Sequence, residues 1–253
     1  IVAPSDHIIQ EEAVFTEVIR SALQAATKHA WLLTLGITPS RPDTGYGYIQ
    51  FCGNKPYPED ERIRKVKTFT EKPNRELAET FLESGDFLWN SGIFIWSVKT
   101  ILDAFSKHLA DIDALFSEGA GKYGTEEEKP FIDRIYPLCK NISIDYGIME
   151  KAENVYVLAS DFGWSDLGTW GSLFDIKDKD ENNNSIQGSN VLTFDTNNCI
   201  ITVPREKLVV IQGLDDYIVV EDDNNLLICR KKDEQKLREI VNTVKIEKGE
   251  KYV

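Results

Sequence analysis

The chain changes its pattern once, and that change sets its architecture. In its first two thirds, short apolar runs that read as strands alternate with longer stretches of helical periodicity. Residues 10–29 read as a helix through Ala13, Val14, Ile19, Ala22, Leu23 and Ala26, followed by an apolar strand from Trp31 to Gly36. Strands are expected again at Tyr48–Phe51, Lys65–Phe69, Phe94–Trp96 and Asn154–Ala159. Asn74 is the expected N-cap of a helix closed by Gly85, residues 99–118 read as one amphipathic helix, and 54–60 and 119–129 read as loops. Beyond a charged, asparagine-rich stretch at 175–189 that reads as a linker, β-branched runs follow at close spacing (190–194, 199–203, 208–212, 217–220, 226–229), with a closing helix near 233–243. The expected fold class is therefore α/β. A Rossmann-like mixed, mostly parallel sheet occupies residues 1–178, and a small β-rich domain of coils or a meander, with a terminal helix, occupies 179–253.

Of the 253 residues, 42% are hydrophobic, enough for a sizeable core, and the net charge of −13 argues against nucleic acid or an anionic membrane as a partner. Four cysteines stand far apart with no C-x-x-C pair, as in a reduced, cytoplasmic protein. No apolar run reaches membrane-spanning length. The opening Ile1-Val2-Ala3-Pro4 reads as the end of a buried strand whose beginning is absent.

Ligands of such sheets gather at the carboxyl ends of strands, so residues just after strands are the candidates for chemistry. Asp6 and Asp166 are carboxylates of this kind, and two of them can converge on a Mg²⁺; the plain structural alternative is a helix N-cap in each case. Glu71-Lys72-Pro73 offers a carboxylate for hydroxyls and a cation for phosphate, or simply a solvated pair. Asn90, in Trp89-Asn90-Ser91-Gly92, offers donor and acceptor together, as vicinal hydroxyls require, or sits in an ordinary turn. Gly45 and Gly47 allow close backbone approach, though they form no dinucleotide fingerprint. Asp145 follows a short apolar run and could equally cap a helix. Asp111-Ile112-Asp113 has the letters of a metal-binding triplet, as in metal-dependent glycosyltransferases, but falls inside a helical pattern.

Taken in order, Ala3-Pro4-Ser5-Asp6-His7, Thr44-Gly45-Tyr46-Gly47-Tyr48-Ile49, Phe69-Thr70-Glu71-Lys72-Pro73, Trp89-Asn90-Ser91-Gly92-Ile93-Phe94, the run from Ser143 through Asp145 to Glu150, and Trp164-Ser165-Asp166-Leu167-Gly168 resemble the motif series of the bacterial mannose-1-phosphate guanylyltransferases, or GDP-mannose pyrophosphorylases. The resemblance runs over nearly the whole chain. It implies a nucleotide-diphospho-sugar transferase fold and the formation of GDP-mannose and pyrophosphate from GTP and mannose 1-phosphate. It gives Asp6 and Asp166 to Mg²⁺, Lys72 to the sugar phosphate, and Glu71, Asn90, Gly47 and Asp145 to the sugar. A homo-oligomer is expected separately, from the apolar edges that missing first strands would expose. The family's opening glycine-rich loop, which cradles the triphosphate, has no counterpart in the chain. The expectation is a polypeptide lacking the first strands of the fold and inactive by itself. Other sugar-1-phosphate nucleotidyltransferases, using glucose 1-phosphate with UTP or dTTP, and a non-catalytic regulatory homologue are the competing readings.

Overall fold

The computed structural model describes residues 1–53, 57–58, 60–223 and 225–252; four of the seven positions in the loop expected at 54–60 lie outside them. The chain divides into two compact units, one of Ile1–Ser5 with Ile9–Trp164 and one of Asp6–Ile8 with Ser165–Val253.

The first unit is built on five strands: β1 (Leu32–Ile37), β2 (Gly47–Phe51), β3 (Ile63–Glu71), β4 (Phe87–Ile95) and β5 (Val155–Ser160). They close on one another in the order β1-β4-β2-β3-β5. Every residue of β1 is buried, which is why its sequence reads as a continuous apolar run. Its two faces serve different clusters. Leu33, Leu35 and Ile37 pack with Val18, Ala22, Ala25 and Ala26 of α1 (Glu12–Lys28). Leu32 packs with Phe94, Ala104 of α3 (Val98–His108), Ile148 and Met149.

The α/β class holds, but the sheet is less parallel than expected. Among the described strands of this sheet only β1 and β5 pair in parallel; β1–β4, β4–β2, β2–β3 and β3–β5 are antiparallel. Strand–helix alternation suggests parallel neighbours when each helix carries the chain back to the adjacent strand. Here α2 (Arg75–Ser84) joins β3 to β4, which are not neighbours, and β4 enters antiparallel between β1 and β2. The caps of α2 are those expected: the Asn74 side chain accepts from the Leu77 N–H at 2.9 Å, and Gly85 has φ of 72°.

Three local expectations are corrected. The helix expected at 99–118 breaks at Leu109 (φ −135°, ψ 49°) into α3 and α4 (Ala110–Ser117). Leu109 turns its side chain under the backbone of Gly147, where a Cβ would stand 2.9 Å from it. Residues 119–129 do not stay irregular to their end, because α5 (Glu128–Ile135) begins within them. The opening segment is not buried: Val2 bridges Phe94 antiparallel, yet Ile1 and Val2 are 57% and 53% exposed.

The second unit begins its regular structure with α6 (Trp170–Ile176), closed at its start by a Thr169–Ser172 capping box. It continues as stacked coils of β6 (Ser185–Gln187), β7 (Val191–Phe194), β8 (Ile200–Thr202), β9 (Val209–Gln212) and β10 (Tyr217–Asp222), finished by β11 (Asn225–Arg230) and α7 (Leu237–Lys248). β6, β8 and β10 run parallel, with Ser185 beside Ile200 beside Ile218, and β7 runs parallel to β9. β11 closes the stack antiparallel to β10. Ile186, Val191, Ile201, Val203, Ile211 and Val219 fill the interior. Of the two alternatives, coils or a meander, the described strands form coils, and the linker reading is corrected: the stretch 175–189 holds β6 and the wholly buried Asn184. Asn184 accepts from the Cys199 N–H at 2.9 Å and donates to the Thr196 carbonyl at 2.8 Å, so an asparagine-rich stretch becomes the first turn of the stack.

Candidate active site

The centre of the first unit's site is an irregularity in β4. Gly36 stands opposite Asn90 and Thr34 opposite Phe94, so three residues of β4 face one of β1. Gly92 permits this bulge with φ of 71°. The backbone groups that the bulge takes out of the ladder are satisfied by side chains: Ser91 Oγ donates to the Leu35 carbonyl at 2.7 Å, and Thr34 Oγ1 lies 3.1 Å from the Ile93 carbonyl. Asn-Ser-Gly is thus a bulge inside a nine-residue strand, and not the turn before a short one.

The bulge aims Asn90. Its Oδ1 accepts from Thr34 Oγ1 at 3.2 Å and from the Gly92 N–H at 3.3 Å, while its Nδ2 donates to Asp145 Oδ1 at 2.8 Å. The Gly92 N–H takes one side of the amide oxygen, the single Thr34 hydroxyl proton is shared between that oxygen and the Ile93 carbonyl, and one N–H of Nδ2 is left for a ligand.

Glu71 ends β3 directly opposite Gly47 of β2. A Cβ on residue 47 would lie 2.4 Å from Glu71 Oε2 and 3.5 Å from Asn90 Cβ, so the missing side chain is what lets the carboxylate lie over the strand beside Asn90. Lys72 follows with φ of 46°, a left-handed conformation that costs a non-glycine residue ~1 kcal/mol, held by its N–H donating to the Tyr46 carbonyl at 3.2 Å. Its ammonium lies 3.3 Å from Glu71 Oε1, with the lysine side chain 60% exposed.

Asp145 opens a π-helical turn, Asp145–Met149, in which the Glu150 N–H donates to the Asp145 carbonyl at 2.9 Å. This five-residue interval sets Asp145 and Glu150 on one face, where an α-helix would have used Met149. Burial raises the carboxyl pKa of Asp145; the Asn90 amide opposes this, Glu71 adds to it and Lys72 opposes it. Glu150 is raised too, by burial and then by Asp145 and Glu71. Gly47, Glu71, Lys72, Asn90 and Asp145 are thus brought together, and the exposed Glu150 carboxylate at the end of the π-turn feels the charges of Asp145 and Glu71. Glu150 stands inside a motif already noted, but helical spacing of the usual kind gives no reason to single it out.

Asp6 and Asp166 belong to the second unit. Ile8–Ile9 pairs with Trp164–Ser165, and the Gln10 N–H to Gly163 carbonyl and Glu11 N–H to Phe162 carbonyl bonds make the ribbon antiparallel. Asp6 and Asp166 leave the same end of it. Neither is an N-cap; α1 starts from Glu11 and α6 from Thr169. Asp166 Oδ1 accepts from the Gly168 N–H at 2.9 Å around Leu167, whose φ is 53°. Among the described residues no group of three or more His, Cys, Asp or Glu is arranged to hold a metal. Two carboxylates are the hard-oxygen set that Mg²⁺ accepts when phosphates and water complete its shell. No described helix is long and apolar enough to cross a membrane.

The pattern of the nucleotidyl transferase family matches residues 1–183, and that of the MannoseP isomerase/GMP-like beta-helix domain matches residues 189–244. The alginate biosynthesis protein AlgA of Pseudomonas aeruginosa is 34% identical over 242 residues, covering 95% of this chain and 49% of that protein. A mannose-1-phosphate guanylyltransferase of Escherichia coli is 34% identical over 244 residues, covering 95% of this chain and 52% of that protein. The chain spans about half the length of the curated relatives it matches. A crystal structure described as a mannose-1-phosphate geranyltransferase from Thermus thermophilus superposes with a TM-score of 0.78 at 28% identity, covering 96% of this chain and 69% of that one.

Proposed function

We propose, for a chain that belongs to the nucleotidyl transferase family, the formation of GDP-mannose and pyrophosphate from GTP and mannose 1-phosphate. The observation that carries this reading is the convergence of Glu71, Lys72, Asn90 and Asp145 over the bare backbone of Gly47. The exposed Lys72 ammonium takes the sugar phosphate as a point charge. Glu71 and Asp145 accept from sugar hydroxyls, and the remaining Asn90 N–H donates to a sugar oxygen. In the transfer a phosphate oxygen of the sugar phosphate attacks the α-phosphorus of GTP in line and pyrophosphate leaves. Such a displacement depends on positioning and charge neutralisation more than on covalent help from the protein. Asp6 and Asp166 would hold Mg²⁺, which when bound offsets the negative charge of triphosphate and nucleophile. The names of the relatives support mannose over other sugars.

Calorimetric titration of the polypeptide with mannose 1-phosphate, with and without Mg²⁺, and separately with glucose 1-phosphate, tests the reading. Saturable binding of mannose 1-phosphate that Lys72→Ala weakens supports it. Preference for glucose 1-phosphate, or binding indifferent to Lys72, would sink it.

A further inference from the structure

Thr34 lies wholly buried in the middle of β1, on the face away from α1, in a strand otherwise made of apolar residues and a glycine. A hydroxyl there needs a reason. Its Oγ1 reaches two acceptors that belong to the β4 bulge, the Ile93 carbonyl at 3.1 Å and Asn90 Oδ1 at 3.2 Å. The second contact matters for chemistry. A carboxamide can sit either way round, and its orientation is decided by obligate partners. The Gly92 N–H can only donate, so it calls for oxygen; the Asp145 carboxylate accepts, so it calls for nitrogen. The Gly92 bond is long at 3.3 Å, and the Thr34 hydroxyl, whose one proton is shared between Asn90 Oδ1 and the Ile93 carbonyl, is the second donor on that side.

We infer that Thr34 is a positioning residue: its hydroxyl holds the Asn90 amide in the orientation that pairs Nδ2 with Asp145 and leaves one N–H for the ligand. The inference rests on the sugar-phosphate reading of this site. It gives the site a fixed polarity, in which the protein supplies acceptors from Glu71 and Asp145 and a donor from Asn90. A ligand with hydroxyls facing the two carboxylates and an acceptor oxygen facing Asn90 fits this polarity.

The test compares Thr34→Val, which keeps the volume and removes the hydroxyl, with Thr34→Ser, which keeps the hydroxyl and removes a methyl. In calorimetric titrations with mannose 1-phosphate, Thr34→Val is expected to weaken binding about 5- to 10-fold, the worth of one hydrogen bond, with Thr34→Ser within about 2-fold of the parent. A role in packing alone predicts the reverse order, and that order would overturn the inference. So would Thr34→Val binding as the parent does while Asn90→Ala loses affinity. A parent protein that binds no mannose 1-phosphate would defeat the functional reading and leave the positioning role to a ligand-free measurement. In that measurement the side-chain amide signals of Asn90, identified by their loss in Asn90→Ala, are followed by NMR as Asp145 titrates. The signals are expected to follow the titration in the parent and in Thr34→Ser and to lose that dependence in Thr34→Val. Identical titration curves in all three would refute the inference.

Discussion

Both units place non-glycine residues in the left-handed region, and to different ends. In the first unit Lys72 (φ 46°) follows β3 directly after Glu71. In the second unit Asn183, Asn198 and Asp216 have φ of 59°, 54° and 65° at equivalent points of successive coils. There the side chains bond up the stack, Asn183 Nδ2 to Asn198 Oδ1 at 2.7 Å and Asn198 Nδ2 to Asp215 Oδ1 at 2.9 Å. Asparagine and aspartate tolerate this conformation and satisfy the turn locally; lysine does neither. The same backbone device is thus cheap where it serves architecture and strained where it presents a charge. Strain next to a charged, exposed group is a better pointer to a site than strain alone.

Substitutions should separate the two uses. The largest stability effect is expected from Asn184→Ala, which leaves the buried Cys199 N–H and Thr196 carbonyl without a partner. Two such groups cost about 3 kcal/mol, read by urea denaturation, while mannose 1-phosphate affinity of the remaining folded protein stays unchanged. Lys72→Ala should do the opposite: affinity falls about 10- to 100-fold, as for a lost charge-assisted contact, with stability within ~0.5 kcal/mol of the parent. If Lys72→Ala destabilised as much as Asn184→Ala, the contrast between the units would collapse. A smaller loss of affinity, about 10-fold, is expected from Gly47→Ala, because the new Cβ would force Glu71 Oε2 from its place 2.4 Å away while the flexible carboxylate end absorbs the clash.

The smallest effects are pH-dependent and distinguish a site carboxylate from a scaffold carboxylate within the first unit. Asp145 has a raised pKa, so its contribution to stability is present in acid and is lost as pH rises through that value. Asp145→Asn should therefore melt slightly higher than the parent at neutral pH, and the gap should close on acidification. Asp60, hydrogen-bonded by Arg62 and held down to about 2, contributes above the ordinary carboxylate range and loses that contribution as pH falls through about 2. Asp60→Asn should melt lower at neutral pH, with the gap closing in acid. Thermal melts from acid to neutral pH check both, and equal signs for the two would refute the assignment.

The motifs of the first unit were legible because few residue types are compatible with both the backbone and a ligand where they stand, Glu71 and Lys72 at the end of β3 and Asn90 at the bulge inside β4. Glu71, Lys72 and Asn90 could be nominated from their neighbours in sequence, and Asn74 with Gly85 from capping chemistry alone. Glu150 could not, since a π-turn shifts the helical interval by one residue. Thr34 could not either, because a threonine within an apolar strand looks like any β-branched residue until the opposite strand bulges toward it. In the second unit the coils were legible as β-branched runs, but their stacking was hidden: the register steps by 15 residues from Ser185 to Ile200 and by 18 from Ile200 to Ile218, so no fixed period appears.

By itself the sequence determined the division into a strand–helix part and a β-rich part, the caps of α2, and the residue types that carry charge and hydrogen bonds in the first unit's motifs. Those are properties of a residue and its near neighbours along the chain. The tertiary structure decided which strands lie side by side, that β1 and β5 alone among the first unit's described neighbours run parallel, and which way the Asn90 amide faces. These depend on partners far away in the chain, such as Asn90 and Asp145, 55 residues apart. Their pairing is set by how buried polar groups find donors and acceptors once the apolar faces have packed.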